Sequence, residues 1–179
     1  LDLLLGKSRT NPTAAAAEIG GRYREILVDE YQDSNGVQDA IFSALSLEKK
    51  NCFLVGDVKQ SIYQFRLADP GIFLEKYAAY APAEQAEPGK GRKVLLSHNF
   101  RSGGEVIESV NHVFSSCMTP KVGGLYYTEA EALREGVPHI PLPDPGTELY
   151  ALETVTYTYA EEAAFVAGRI RQMLDSGTQ

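Results

Sequence analysis

Two carboxylates stand side by side at Asp29 and Glu30. They follow the short, mostly apolar run Glu25-Ile26-Leu27-Val28 and open the segment Asp29-Glu30-Tyr31-Gln32-Asp33. Adjacent acids leaving a strand point in different directions, so one can hold a cation while the other faces a nucleophile. In phosphoryl transfer, a carboxylate at a strand end helps hold the Mg²⁺ that bridges phosphate oxygens, and a neighbour orients or deprotonates the attacking water. A second group, Gly56-Asp57-Val58-Lys59-Gln60-Ser61-Ile62-Tyr63-Gln64-Phe65-Arg66, follows the run Cys52-Phe53-Leu54-Val55. Gly56 permits a tight exit from a strand. Gln60 has the reach and the amide to meet a terminal phosphate, and Tyr63, Phe65 and Arg66 offer two rings and a guanidinium for stacking on bases and gripping a backbone. A third group, His98-Asn99-Phe100-Arg101-Ser102, sets an aromatic beside a planar fork just past the run Lys93-Val94-Leu95-Leu96. That pair suits a purine and a phosphate.

Each segment also has a plainer reading. Asp29 and Glu30 are then solvated, and Asp33 or Ser34 caps the next helix. Ile62 and Phe65, three apart, become helix core with Arg66 as a surface charge, and Ser102 is a helix cap.

These groups need elements to position them. Glu25–Val28, Cys52–Val55 and Lys93–Leu96 read as strands, each ending where polar residues begin. Between them lie helical patterns: Val37, Ile41, Phe42 and Leu45 after cap residues 33–35, and Ile72, Phe73, Leu74 and Tyr77 after Pro70. Val106, Ile107, Val110 and Phe114 follow Ser102, and Phe165, Val166, Ile170 and Leu174 form an inward stripe over 160–174. Residues 149–157 alternate like a strand. Residues 81–91, rich in Pro, Gly and small residues, make the best linker, and 118–147, with five prolines, reads as loop. Strands alternating with helices give an α/β class with a parallel sheet, whose ligands gather outside the carboxyl ends of the strands. All three groups sit there.

Composition sets the bounds. In 179 residues, 17 Lys and Arg stand against 24 Asp and Glu, 44% are hydrophobic and 23% charged, which excludes fibrous and wholly disordered classes. The net charge of −7 runs against a nucleic-acid partner in general but says little about a local groove. Two cysteines, Cys52 and Cys117, are too few for a disulfide framework, and their apolar or small neighbours read as buried, inert thiols in a reducing, cytoplasmic setting. His98, His112 and His139 lack metal-ligand spacing. No run approaches a membrane span.

In order and spacing, the three groups resemble motifs II, III and IV of superfamily 1 DNA helicases of the UvrD type. Val58-Lys59-Gln60 and Phe65-Arg66-Leu67-Ala68-Asp69-Pro70 look closest to the AddA-type helicase–nuclease subunits, since UvrD and Rep enzymes usually carry Trp at the place of Phe65 and Gly at that of Leu67. A UvrD- or RecB-like helicase is the alternative within the class. The resemblance implies a partial RecA-like parallel sheet with flanking helices. Residues 1–90 would be the C-terminal half of a first lobe, and 91–179 the start of a second RecA-like lobe. It implies ATP and Mg as cofactors, with Asp29 on the metal and Glu30 as the base. Gln60 would sense the γ-phosphate, Phe100 would stack on adenine and Arg101 would serve as arginine finger. Tyr63, Phe65 and Arg66 would contact single-stranded DNA, and Gln32 and Asp57 would couple the two sites. A second, AddB-like subunit is the implied partner. No Gly-x-x-x-x-Gly-Lys-[Ser/Thr] phosphate cradle occurs, and Gly6-Lys7-Ser8 has no glycine-rich loop before it. The chain is therefore expected to be an internal piece that hydrolyses no ATP alone. A non-catalytic α/β scaffold, the alternative of another class, would scatter Asp29, Gln60 and Arg101. The motor reading sets the first two on one sheet edge.

Overall fold

A computed structural model of the chain describes residues 1–7, 11–46, 50–138, 147–153, 156 and 158–177. It is mixed α/β, with three short parallel strand pairs and six helices among the described residues. Two compact units form: Leu1–Ser97 with Phe114–Ala132, and His98–Val113 with Leu133–Gln179.

In the first unit, helices α1 (Asp2–Leu5) and α2 (Ala14–Gly20) precede strand β1 (Ile26–Val28). Helix α3 (Gly36–Leu45) leads to strand β2 (Cys52–Leu54), and helix α4 (Pro70–Ala79) to the pair β3 (Ala81–Pro82) and β4 (Arg92–Lys93). β1 and β2 run parallel in the register Ile26↔Cys52, Leu27↔Phe53, Val28↔Leu54. The helix starts follow their caps. Asn35 accepts the N–H groups of Val37 and Gln38, while Gln38 accepts the Asn35 N–H in return, a capping box that leaves Asp33 and Ser34 without the cap role. Asp69 caps α4 through Gly71 N–H, with Pro70 at the first helical position. The expected apolar faces hold for Ile41, Phe42 and Leu45 on α3 and for Ile72, Phe73, Leu74 and Tyr77 on α4, all half-buried, whereas Val37 is exposed.

Tyr31 centres this unit's core. It is buried beside the Phe73 ring (5.9 Å between centroids) and the Phe42 ring (6.5 Å). Its hydroxyl donates to Asp39, whose carboxylate also pairs with Lys76 at 3.0 Å. Burial, with Asp39 adding to it, pushes this phenol far above the ordinary tyrosine range.

The second unit holds strands β5 (His98–Asn99) and β6 (Arg134–Glu135), a parallel pair, and helix α6 (Tyr159–Ser176). Helix α5 (Gly104–Cys117) begins here, with Ile107 buried, and its last residues belong to the first unit.

Further expectations are corrected. The third run is a strand only at Arg92–Lys93, where Ala81–Pro82 supplies ladder partners. From Val94 the chain leaves that pair, and Val94, Leu95 and Leu96 are exposed. Residues 149–153 are irregular rather than extended in a ladder, while 154, 155 and 157 lie outside the described residues, as do Ser8 and His139. On α6 only Phe165 of the expected stripe is half-covered, by the Tyr150 ring 5.0 Å away. Val166, Ile170 and Leu174 are exposed. Finally, Cys52 is half-buried but Cys117, at the end of α5, is exposed. Among the described residues no helix is long and apolar enough to cross a membrane.

Candidate functional site

Because β1 and β2 lie side by side and run the same way, the residues after each leave from one edge. Val55 N–H donates to Val28 carbonyl at 2.8 Å, and Tyr31 N–H donates to Val55 carbonyl at 2.8 Å. The ladder thus carries past the strands, and Asp29-Glu30 emerges beside Gly56-Asp57.

The chain turns sharply at Glu30, whose φ of 49° and ψ of 43° lie in the left-handed region. For a residue other than glycine this conformation costs on the order of 1–3 kcal/mol and persists only where surroundings hold it. Two contacts do so here. Asp29 Oδ1 accepts the Glu30 N–H at 2.9 Å, and the buried Tyr31 anchors the next residue in the core. The two acids have different hydrogen-bond partners. Asp29 keeps its carboxylate at its own strand end, while Glu30 Oε2 accepts from Gln32 Nε2 at 2.7 Å.

Gln32 is 1% exposed and joins the two strand ends. Its Nε2 donates to Glu30, and its Oε1 accepts the Asp57 N–H at 3.0 Å. A buried amide satisfied at both ends fixes one arrangement. Gly56 makes room for it. A Cβ built there would lie 2.5 Å from Gln32 Oε1, 3.1 Å from Tyr31 N and 3.2 Å from Gln32 N. Gly56→Ala should therefore push Gln32 off its two partners at a cost of about 1–3 kcal/mol, speeding local opening by roughly one to two orders of magnitude. Hydrogen–deuterium exchange over residues 28–33 and 55–60 checks this; parent-like exchange in the variant refutes the close fit.

Beyond Gly56, Asp57 carries a tight 3₁₀ turn, Val58–Gln60, accepting Lys59 N–H at 3.0 Å on Oδ1 and Gln60 Nε2 at 3.1 Å on Oδ2. Glu30, Gln32, Asp57 and Gln60 are thus one hydrogen-bonded chain along the edge. Lys59 Nζ lies between Asp57 Oδ1 (2.9 Å) and Glu131 Oε2 (3.3 Å), and Glu131 Oε1 accepts from the Tyr77 hydroxyl at 2.6 Å. Burial pulls the Lys59 ammonium down, but the two carboxylates outweigh it and hold the group above the ordinary lysine value. Burial, then Glu131, pushes Tyr77 up to about 12. Sequence reasoning missed Glu131 and Tyr77, because nothing local marks partners 72 and 54 residues away.

The following turn is exposed. Phe65 is 75% exposed and Ile62 69%, so the helix-core alternative for this pair does not hold. The Tyr63 and Phe65 rings sit 5.9 Å apart, and the Arg66 guanidinium lies 5.1 and 5.4 Å from their centroids. Leu67 closes the turn with φ 67°. Two open rings and a cation form a platform onto which flat apolar groups with nearby negative charge can stack.

In the second unit, Asn99 Oδ1 accepts the N–H groups of Arg101 (2.9 Å) and Ser102 (2.8 Å). This turn presents Phe100, 67% exposed, and an exposed Arg101. α5 starts two residues later at Gly104, so Ser102 is not its cap. Gly136 lies close against the Phe100 ring, where a Cβ would come within 2.6 Å.

Comparison with known proteins meets this geometry. Residues 3–81 match the family model of the UvrD/REP helicase N-terminal domain. Over that stretch the chain is similar to the UvrD/REP helicases. Among curated relatives, the A subunit of the ATP-dependent helicase/nuclease of Moorella thermoacetica is 46% identical over 159 residues, covering 86% of this chain and 11% of that protein. The protein of the same name from Clostridium acetobutylicum is 52% identical over 128 residues, 70% of this chain and 10% of that protein. That from Desulforudis audaxviator is 51% identical over 131 residues, 71% and 10%. The chain spans about a tenth of the length of these helicase relatives. The family match takes in the groups at 29–33 and 56–66.

Proposed function

We propose that the chain is an internal segment of an ATP-dependent DNA helicase subunit of the AddA kind, carrying the back half of one RecA-like lobe in 1–90 and the start of a second in 91–179. The observation that carries this reading is the shared edge after β1 and β2, where Glu30, Gln32, Asp57 and Gln60 are hydrogen-bonded in series. The relatives' names and the family match support the same class.

In this reading a triphosphate rests against that edge. Glu30 orients and deprotonates the attacking water, and its bond from Gln32 fixes where the carboxylate points. Gln60 meets the γ-phosphate. Gln32 and Asp57 pass its position to the turn at 63–66, whose rings and Arg66 hold single-stranded DNA. Phe100 stacks on the adenine, and Arg101 supplies charge to the transferring phosphoryl group. The donor set suits Mg²⁺: one exposed strand-end carboxylate, Asp29, with its Oδ1 already turned to the Glu30 N–H, rather than an all-protein cage. Bound there, the ion would neutralise phosphate charge. DNA, single- or double-stranded, is the substrate, a second AddB-like subunit is the partner, and the cytoplasm is the compartment.

Phosphate release with and without single-stranded DNA tests this reading. The full-length polypeptide should turn over ATP in a DNA-stimulated manner, and the 179-residue chain alone should not, since it lacks a phosphate-cradling lysine loop. A full-length polypeptide without DNA-stimulated turnover would sink it.

A further inference from the structure

Residues 119–132 carry no motif, yet within the first unit they are fastened to the site. The Phe114 and Tyr127 rings stack at 5.6 Å, and Met118 is buried. Gly124 passes so close to α4 that a Cβ there would lie 3.0 Å from Leu74 Cδ1. At the end of the segment stands Glu131. It receives the Tyr77 hydroxyl on one oxygen and faces Lys59 Nζ with the other. The Glu131 and Lys59 side chains are only 13% and 16% exposed. From there the series continues through Asp57 Oδ1 and Oδ2 to the Gln60 amide.

We propose, on the ATPase reading above, that Glu131 is a positioning residue for Gln60: through Lys59 it fixes the Asp57 carboxylate that holds the Gln60 amide where a γ-phosphate is sensed. An ammonium largely shielded from water needs both carboxylates. Leaving it with one makes its buried position costly, so it turns outward to solvent. Asp57 then loses its counter-charge and the hold on its orientation, and the Gln60 amide is released with it. Tyr77 sets the Glu131 rotamer from α4, so this half of the network is anchored to a helix rather than to a loop.

The test uses the full-length polypeptide and compares equilibrium affinities for ADP and for a non-hydrolysable ATP analogue. Glu131→Gln keeps the side-chain volume and the acceptor for Tyr77 while removing the charge that Lys59 faces. It should lower the preference for the analogue over ADP about tenfold while ADP affinity stays within about twofold. Tyr77→Phe should shift the preference the same way by less. Lys59→Met should match Glu131→Gln, and the double variant should be no worse than Lys59→Met, because both act through one pair. A general loosening of the fold would instead lower both affinities together, and that result overturns the positioning role, as do additive losses in the double variant. An unchanged preference in Glu131→Gln, beside a lost preference in Gln60→Ala, overturns the inference and leaves the ATPase reading standing. An unchanged preference in Gln60→Ala removes Gln60 as the sensor and the role of Glu131 with it.

Discussion

Glu30→Gln in the full-length polypeptide should cut DNA-stimulated ATP turnover by about 10²–10⁴-fold, the usual contribution of a positioned general base. The substitution keeps the shape of the side chain and an oxygen that can still accept from Gln32 Nε2, so the edge itself should persist. What disappears is the basic carboxylate. Nucleotide affinity should accordingly stay near the parent value, and the loss should fall on kcat rather than KM, the pattern of an interaction made only in the transition state. Single-turnover phosphate release separates the two parameters. Turnover within about threefold of the parent would remove Glu30 as the base, since that is too small for proton transfer at the reacting water.

The backbone sets Glu30 apart from its neighbour. An extended chain through residue 30 would continue the strand direction set by Val28. The left-handed turn at Glu30 instead swings the chain across toward Val55, where the Tyr31 N–H finds a carbonyl, and carries the Glu30 carboxylate toward Gln32. The next two residues offset the strain: a tyrosine buried among Phe42, Phe73 and Lys76, and a glutamine satisfied at both ends of its amide. Tyr31 and Gln32 are thus the structural half of a segment whose chemical half, on the proposed reading, is Asp29 and Glu30. This division makes a five-residue run specific where two acids alone would not be.

Much of that arrangement is legible in the amino-acid order. Glu25–Val28 and Cys52–Val55 are short apolar runs that stop at Asp29-Glu30 and Gly56-Asp57, and their common direction follows from the α3 pattern between them, which demands a crossover. Asp69-Pro70 announces a helix start without any structure. Gly56 reads as a tight exit, whereas its φ is ordinary and its necessity comes from the Gln32 amide lying against it. That contact joins residues 24 apart in sequence, and no local pattern encodes it. The same limit hides Glu131 and Tyr77, whose meeting depends on how 119–132 lies along α4. The run Val94–Leu96 misleads for the opposite reason. Hydrophobicity reports that a surface needs cover but does not name the ladder partner, and here Arg92–Lys93 has already met Ala81–Pro82. The stripe on α6 has the periodicity of a buried face and remains exposed among the described residues.

Arg101→Ala should lower turnover on the order of 10³-fold, the scale on which a guanidinium stabilises charge spreading over a transferring phosphoryl group. The exposed side chain makes this a clean test, since surface substitutions away from a network usually change stability by no more than about 0.5 kcal/mol. The turn that presents Arg101 is held by Asn99 through backbone N–H groups, which alanine retains, so Phe100 keeps its place against Gly136. Arg101→Lys sharpens the comparison. An ammonium restores one positive charge but not the planar fork that addresses two phosphate oxygens at once, so it should recover only a small part of the loss. Full recovery by lysine would reduce the role to a point charge. Parent-like turnover in Arg101→Ala would remove Arg101 as the arginine finger and leave the proposed chemistry to the residues after β1 and β2.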